Sequence, residues 1–329
     1  MKRALLFATI ALAPMYAAVD GTVVNGTTGQ PQPNAIASLV QPGDGGMKTL
    51  VSVKTAADGK FQFTKDVQGP QLVQVFYQGV LYTKPVMPGM PSSGIQVQVF
   101  DSTNDPAAAP VSQHFIVLQP SATELNVSEG VLYQSNGKMT YSDPVNGSFR
   151  FYLPPEAKGQ VSVTINSTGG MPIQRPAEKT KQPNIYKIDY PIKPGETRFD
   201  LNYILPASTP MVYATKILHT EGASDLVIPN GVTVTGSDIE LAGKEPKTQA
   251  SIYKIKNANF KVEVQGTGTL QAAAGGEASA QSDDNNGAPT IQEVKPRIYE
   301  RLYWILGMAF AILALGSVLL YRSAPAARQ

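Results

Sequence analysis

Cysteine does not occur anywhere in the 329 residues, and that single absence excludes disulfides, thiolate metal sites, covalently attached haem and any cysteine nucleophile. Stability must therefore come from packing, which calls for sizeable hydrophobic cores. Charge is scarce too. Asp, Glu, Lys and Arg make up 16 % of the chain, against roughly 25 % in ordinary soluble domains. The formal net charge is +2 and no long Lys/Arg run appears, so the electrostatic footprint of nucleic-acid binding is missing and no nucleic-acid partner is expected. Histidine is limited to His114 and His219. Each stands alone among apolar residues, whereas a metal site needs three or four converging ligands, so both are expected to be satisfied strand histidines.

What the chain does have is turns and two unusual ends. Met1, Lys2 and Arg3 precede an apolar stretch from Ala4 to Ala13, and Pro14 to Ala18 closes it with a break and small residues. Residues 1–18 therefore read as a secretory signal peptide, cleaved near Ala17 or Ala18. Leu302 to Tyr321 runs without a charge, and about 20 residues at about 1.5 Å each cross a hydrocarbon core of about 30 Å. Tyr303, Trp304 and Tyr321 fall where aromatic belts fall, with Arg301 and Arg322 bracketing the span. Residues 302–321 are expected to be one C-terminal transmembrane helix and the membrane lipid bilayer its partner. If the leader exports the chain behind it, the bulk of the protein is extracytoplasmic, on the periplasmic side of a bacterial cell membrane, and residues 322–329 are a cytoplasmic tail. An exported protein without disulfides fits a bacterial envelope well.

Between the ends the apolar period is two rather than 3.6, and 29 Gly and 26 Pro punctuate it. The chain is too long for one ordinary core and predicts two or three domains at roughly 100 to 150 residues each. In residues 19–101 strands are expected over 21–24, 35–40, 49–54, 60–64, 71–77, 80–84 and 94–100, with breakers such as Pro42 to Gly46 and Asp58-Gly59. About seven short strands in such a length is the pattern of a small β-sandwich. Ile95, Val97 and Val99 alternate with Gln96 and Gln98, so one face of that strand should be buried and the other wet. Phe61 and Phe63 share a parity and should point inward.

The residues of this first module also carry a resemblance. Gly21-Thr-Val-Val-Asn-Gly-Thr-Thr-Gly29-Gln-Pro31, Ala35-Ile-Ala-Ser-Leu39-Val40 and Thr55-Ala-Ala-Asp58-Gly59-Lys-Phe61-Gln-Phe63 resemble the carboxypeptidase regulatory-like family of transthyretin-like sandwiches, whose folds are similar to starch-binding-like modules. The likeness covers about Val19 to Phe100. Where the family often has Gly-Tyr after its fifth strand, this chain has Tyr77-Gln-Gly79. The resemblance implies a carbohydrate-binding-like fold and brings no peptidase chemistry.

Residues 102–110, with Pro106-Ala-Ala-Ala-Pro110, read as a linker by composition. Residues 111–206 again suggest about seven strands, at 114–118, 124–127, 131–134, 148–153, 160–166, 186–190 and 197–205, which is the pattern of an immunoglobulin-like sandwich. Residues 207–270 add strands at 212–217, 225–227, 232–235, 251–255 and 261–265. They form either a small third module or an extension packed on the second; about sixty residues alone would be marginal. Residues 271–294 are small, polar and non-periodic, a flexible tether. The expected fold is all-β: tandem β-sandwich modules, transthyretin-like then immunoglobulin-like, plus the C-terminal helix.

Catalytic motifs do not assemble. Ser135-Asn-Gly-Lys138 matches Ser-x-x-Lys, but Asn136-Gly137 makes a hairpin turn and the partner motifs Ser-Asp-Asn and Lys-Thr-Gly are absent. Asp283-Asp-Asn-Asn-Gly287 lacks the spacing of a calcium loop, and Gly266-Thr-Gly268 lacks the third glycine of a dinucleotide site. Asn25, Asn126, Asn146 and Asn166 head sequons that matter only in a glycosylating host. No catalytic residue, metal or cofactor is expected. The candidate ligand-facing aromatics are Tyr77 and Tyr82, near strand ends of the first module. The function these signals point to is a non-catalytic membrane-anchored envelope protein presenting sandwiches to an envelope protein partner. The alternative is carbohydrate or cell-wall binding through the first module, with a glycan as ligand.

Overall fold

The computed structural model describes residues 19–43, 45–65 and 69–270; the expected leader at 1–18, tether at 271–294, span at 302–321 and tail at 322–329 lie outside them. Among the described residues no helix is long and apolar enough to cross a membrane. The described fold is all-β, its only helical pieces being two single 3-10 turns.

The first module holds β1 (Val19–Asn25), β2 (Ile36–Gly43), β3 (Gly46–Lys54), β4 (Lys60–Phe63), β5 (Gln71–Tyr77), β6 (Val80–Val86) and β7 (Ile95–Val99). They make a three-stranded sheet in the order β4-β1-β7 and a four-stranded sheet in the order β3-β2-β5-β6. All pairs are antiparallel except β1 with β7. Alternation decides which side chains fill the space between the sheets. Val19, Val23, Phe61, Phe63, Val73, Val75, Ile95, Val97 and Val99 point in, while Gln96 and Gln98 face water. Gly21 is inward in β1 because its neighbours need its space: a Cβ there would lie 2.0 Å from the Ile95 carbonyl oxygen and 2.7 Å from the Phe61 ring.

The stretch with linker composition is structured. Asp101–Thr103 forms β8, and Pro106–Ala108 is a 3-10 turn capped by the Asp105 carboxylate, which accepts from the Ala107 N–H. β9 (Val111–Pro120) and β10 (Glu124–Ser135) come next as a long hairpin, then β11 (Met139–Tyr141), which pairs in parallel with β8. A backbone ladder thus spans the boundary between the first module and the rest of the described chain. β12 (Phe149–Tyr152), β13 (Ser162–Ser167), β14 (Ile173–Arg175), β15 (Glu178–Lys179), β16 (Ile185–Ile188), β17 (Gly195–Pro206), β18 (Met211–Lys216), β19 (Ala223–Ile228), β20 (Thr233–Thr235), β21 (Ile239–Lys244), β22 (Ser251–Ile255) and β23 (Asn259–Gln265) complete it.

Residues 111–206 and 207–270 are not separate bodies. One eight-stranded sheet runs β14-β13-β17-β10-β9-β19-β22-β21, so strands of the last segment continue the sheet of the segment before it, β19 lying parallel to β9. Two three-stranded sheets, β12-β16-β15 and β18-β23-β20, accompany it. A single apolar core unites Phe149, Phe151 and Ile188 with Phe199 and Leu201, and continues through Tyr213 and Leu226 to Phe260 and Val262. The last segment buries its apolar face on an existing sheet, which removes the difficulty of a core too small to stand alone.

The hairpin β9–β10 also sets two ends apart. At one end Val111 faces Tyr133, next to the β8–β11 ladder and the first module. At the other, the Pro120 carbonyl accepts from the Gly268 N–H and the Gln119 side chain from the Leu270 N–H. β9 has ten residues, and at about 3.3 Å per residue it separates these ends by about 30 Å.

Candidate functional site

Tyr77 and Tyr82 both lie at the boundary between the first module and the second body. In β6 the parity that buries Val80 also buries Tyr82, which is 5 % exposed. Its hydroxyl is 2.8 Å from Thr140 Oγ1 and donates to the Phe100 carbonyl at 3.0 Å. Lys193 Nζ sits 5.0 Å from the centre of the Tyr82 ring and donates to the Leu81 carbonyl at 2.7 Å. Burial raises the tyrosine pKa and lowers that of the lysine. Tyr82 is therefore a junction residue and offers no open ring face to a ligand, which corrects the surface role expected for it. Tyr77 is half-buried, and its hydroxyl donates to Asp101 Oδ1 at 2.8 Å, an oxygen that also accepts from Asn25 Nδ2 at 2.8 Å. Thr27 closes the node, accepting from the Asp101 N–H through Oγ1 and donating to the Lys138 carbonyl.

Neither histidine is alone. His114 on β9 and Glu129 on β10 are both 5 % exposed, with His114 Nε2 3.3 Å from Glu129 Oε2. The register pairs Glu129 with Ile116, so His114 is its diagonal neighbour on the same inward face. Tyr203 on β17 donates its hydroxyl to Glu129 Oε1. The Tyr213 hydroxyl, from β18, lies 3.2 Å from that same oxygen and 2.9 Å from the Tyr203 hydroxyl. Burial first, and then the negative charge of Glu129, push both tyrosines well above their ordinary range. His114 Nδ1 has no hydrogen-bond partner among the described residues. The cluster is sealed inside the core, where a buried carboxylate accepting from several donors fixes three strands and a facing sheet in one arrangement. It presents no group to a substrate in solution.

His219 belongs to a different environment, a cleft of about 500 Å³ at the junction end of the second body. Its ring stacks on Phe149 at 5.6 Å and meets Tyr133 edge-on at 5.8 Å. Nε2 is 2.8 Å from the Arg150 carbonyl and 3.4 Å from the Tyr133 hydroxyl. Since the carbonyl can only accept, Nε2 carries the proton. Burial holds the imidazole pKa below 6.5, with the Arg150 carbonyl opposing that shift. Three chain segments converge here: the connection that supplies Asp105, the β11–β12 region that supplies Tyr141, Asp143 and Arg150, and the turn after β18 that supplies His219 and Glu221. Asp143 Oδ1 accepts from the Asn146 N–H at 2.9 Å and Oδ2 from its side-chain amide at 2.9 Å, which keeps this carboxyl below its usual range. Tyr141 is 8 % exposed and lines the cleft, yet its hydroxyl has no hydrogen-bond partner among the described residues.

Most of these residues carry no signal along the chain, because their partners are tens of residues away. Only the Glu129 cluster left a trace: Ser128-Glu129-Gly130 interrupts the apolar alternation that otherwise runs through β10. Among the described residues no three His, Asp or Glu side chains are placed to share a metal ion. No family model matches the chain, and no curated protein matches it.

Proposed function

We propose that this chain is an exported, single-pass membrane protein of the bacterial envelope that acts without catalysis, holding its β-sandwich modules out from the membrane for contact with an envelope protein partner. The observation that carries this reading is the placing of the two ends of the described body. Leu270, from which the chain continues toward the apolar run Leu302 to Tyr321, is at the end of the β9–β10 hairpin opposite the first module. The length of the hairpin separates the first module from this exit point by about 30 Å. The Tyr82–Thr140 contact, the Asp101 node and the β8–β11 ladder stiffen the boundary, as a spacer requires. The three-plus-four sandwich of residues 19–101 supports a transthyretin-like module of the carboxypeptidase regulatory-like kind. The long hairpin and its sheet support an immunoglobulin-like second module extended by residues 207–270.

Crosslinking of the full chain in its native membrane, followed by mass spectrometry, tests this reading. A recurrent partner crosslinked through residues 19–101 is expected, and turnover of a substrate by the purified chain would overturn the non-catalytic assignment.

A further inference from the structure

The cleft beside His219 has more acid than base. Asp105, Asp143 and Glu221 line it together with one guanidinium, that of Arg150. None of these four is in an ion pair among the described residues. Burial depresses the His219 pKa and so disfavours a positive charge there. The carboxylates surround the opening without converging on a point that a metal ion could occupy. Between them the lining combines the apolar and aromatic Pro106, Ala107, Pro110, Leu218 and the two tyrosines with the polar Asn104 and Ser148. The Tyr141 hydroxyl, on a side chain more than nine-tenths buried, has no partner among the described residues. Dispersed negative charge, aromatic walls and an unused hydroxyl suit a cation that is itself extended and partly apolar.

We propose that this cleft binds an organic cation with an apolar stem, an alkylammonium or guanidinium group, held by Asp143, Glu221 and the Tyr141 hydroxyl with its stem against the cleft walls. Two sources share that chemistry, a Lys or Arg side chain of a partner polypeptide and a free small amine. The inference uses only described residues between Asn104 and Glu221 and is independent of where the chain is anchored.

Saturation-transfer NMR on the full chain in detergent micelles tests it, with N-acetyl-lysine methylamide and putrescine as probes and the uncharged N-acetyl-norleucine methylamide as control. Saturable binding of at least one amine is expected, weakened by added salt, with none for the control. Preference for the lysine derivative assigns the side-chain source, and preference for putrescine the free amine. Glu221→Gln should weaken binding about tenfold, and Asp143→Asn, which keeps the Oδ1 acceptor for the Asn146 N–H, by a similar factor. Tyr141→Phe should weaken it a few-fold. Retained thermal unfolding of each variant shows that the loss is local. Absence of saturable binding by both amines, equal binding of the norleucine control, or unchanged affinity in folded Glu221→Gln would overturn the proposal.

Discussion

Glu129 is a buried side chain with three buried polar partners. It accepts from Tyr203, lies within hydrogen-bond reach of Tyr213 and pairs with His114. Glu129→Ala would leave two tyrosine hydroxyls and an imidazole buried around an empty space. Removing one partner of a buried polar cluster typically costs about 3–5 kcal/mol, and a loss of this order is expected in denaturant unfolding. Glu129→Gln keeps an acceptor oxygen and should lose clearly less; equal losses would contradict the hydrogen-bonding account. His219 makes a different prediction. Its folded pKa lies below 6.5 because of burial, so the unfolded chain binds the extra proton first. The stability that this difference contributes is complete above the unfolded pKa and is lost as pH falls from about 6.5 toward the folded value. Melting temperatures measured between pH 7.5 and 5 should fall, and His219→Gln should flatten that part of the profile. A variant with an unchanged slope would show that another group is responsible.

At the scale of elements, alternation makes the first module legible. Each of its seven strands coincides with an expected one to within a few residues, because its inward positions are almost all aliphatic or aromatic. The second body is less regular. There the sequence reads β10 as two strands, 124–127 and 131–134, since a charged residue and a glycine normally end a run. In the fold Glu129 keeps inward parity, and Gly130 makes room on the other face for the Phe115 ring. β11, β14 and β15, of three, three and two residues, are too short to show a period, and β21 is an edge strand with a register shift near Gly243. Tyr82 departs from its expected surface position because it shares the inward parity of Val80 in β6, and its hydroxyl then meets Thr140, 58 positions away. The two glycines can be set against each other. A Cβ on Gly130 would meet the Phe115 ring at 2.0 Å, whereas one on Gly21 would meet the Ile95 backbone oxygen at 2.0 Å. A side chain can turn aside and a strand backbone cannot. Gly130→Ala should therefore cost about 1–3 kcal/mol, the usual range for overpacking, and be relieved by adding Phe115→Ala. Gly21→Ala should cost more, and Phe61→Leu should not restore it. Equal rescue of both in unfolding experiments would contradict this distinction.

At the scale of the whole molecule, the eight-stranded sheet joins residues 111–270 into one body, and the β8–β11 ladder connects the first module to it. This joining is only partly legible, because β-pairing between segments a hundred residues apart leaves no periodic trace in either. The proposed anchor is the reverse case, a strong sequence signal lying outside the described residues. A charge in the middle of the apolar run should weaken insertion: Leu313→Arg is expected to cost about 2.5–3.5 kcal/mol on insertion scales and to move the protein into the soluble fraction on membrane fractionation. Retention of the variant in the membrane would argue against a span at this position. The absence of native cysteine provides the most direct test of the topology on which the proposed function depends. Val145 is 79 % exposed and Ala326 follows the proposed span, so Val145→Cys and Ala326→Cys each place a single thiol on one side of the proposed anchor. In spheroplasts treated with a membrane-impermeant maleimide, the Val145→Cys chain should be labelled before lysis and the Ala326→Cys chain only after it, whereas the opposite pattern would place the sandwiches in the cytoplasm and contradict the account.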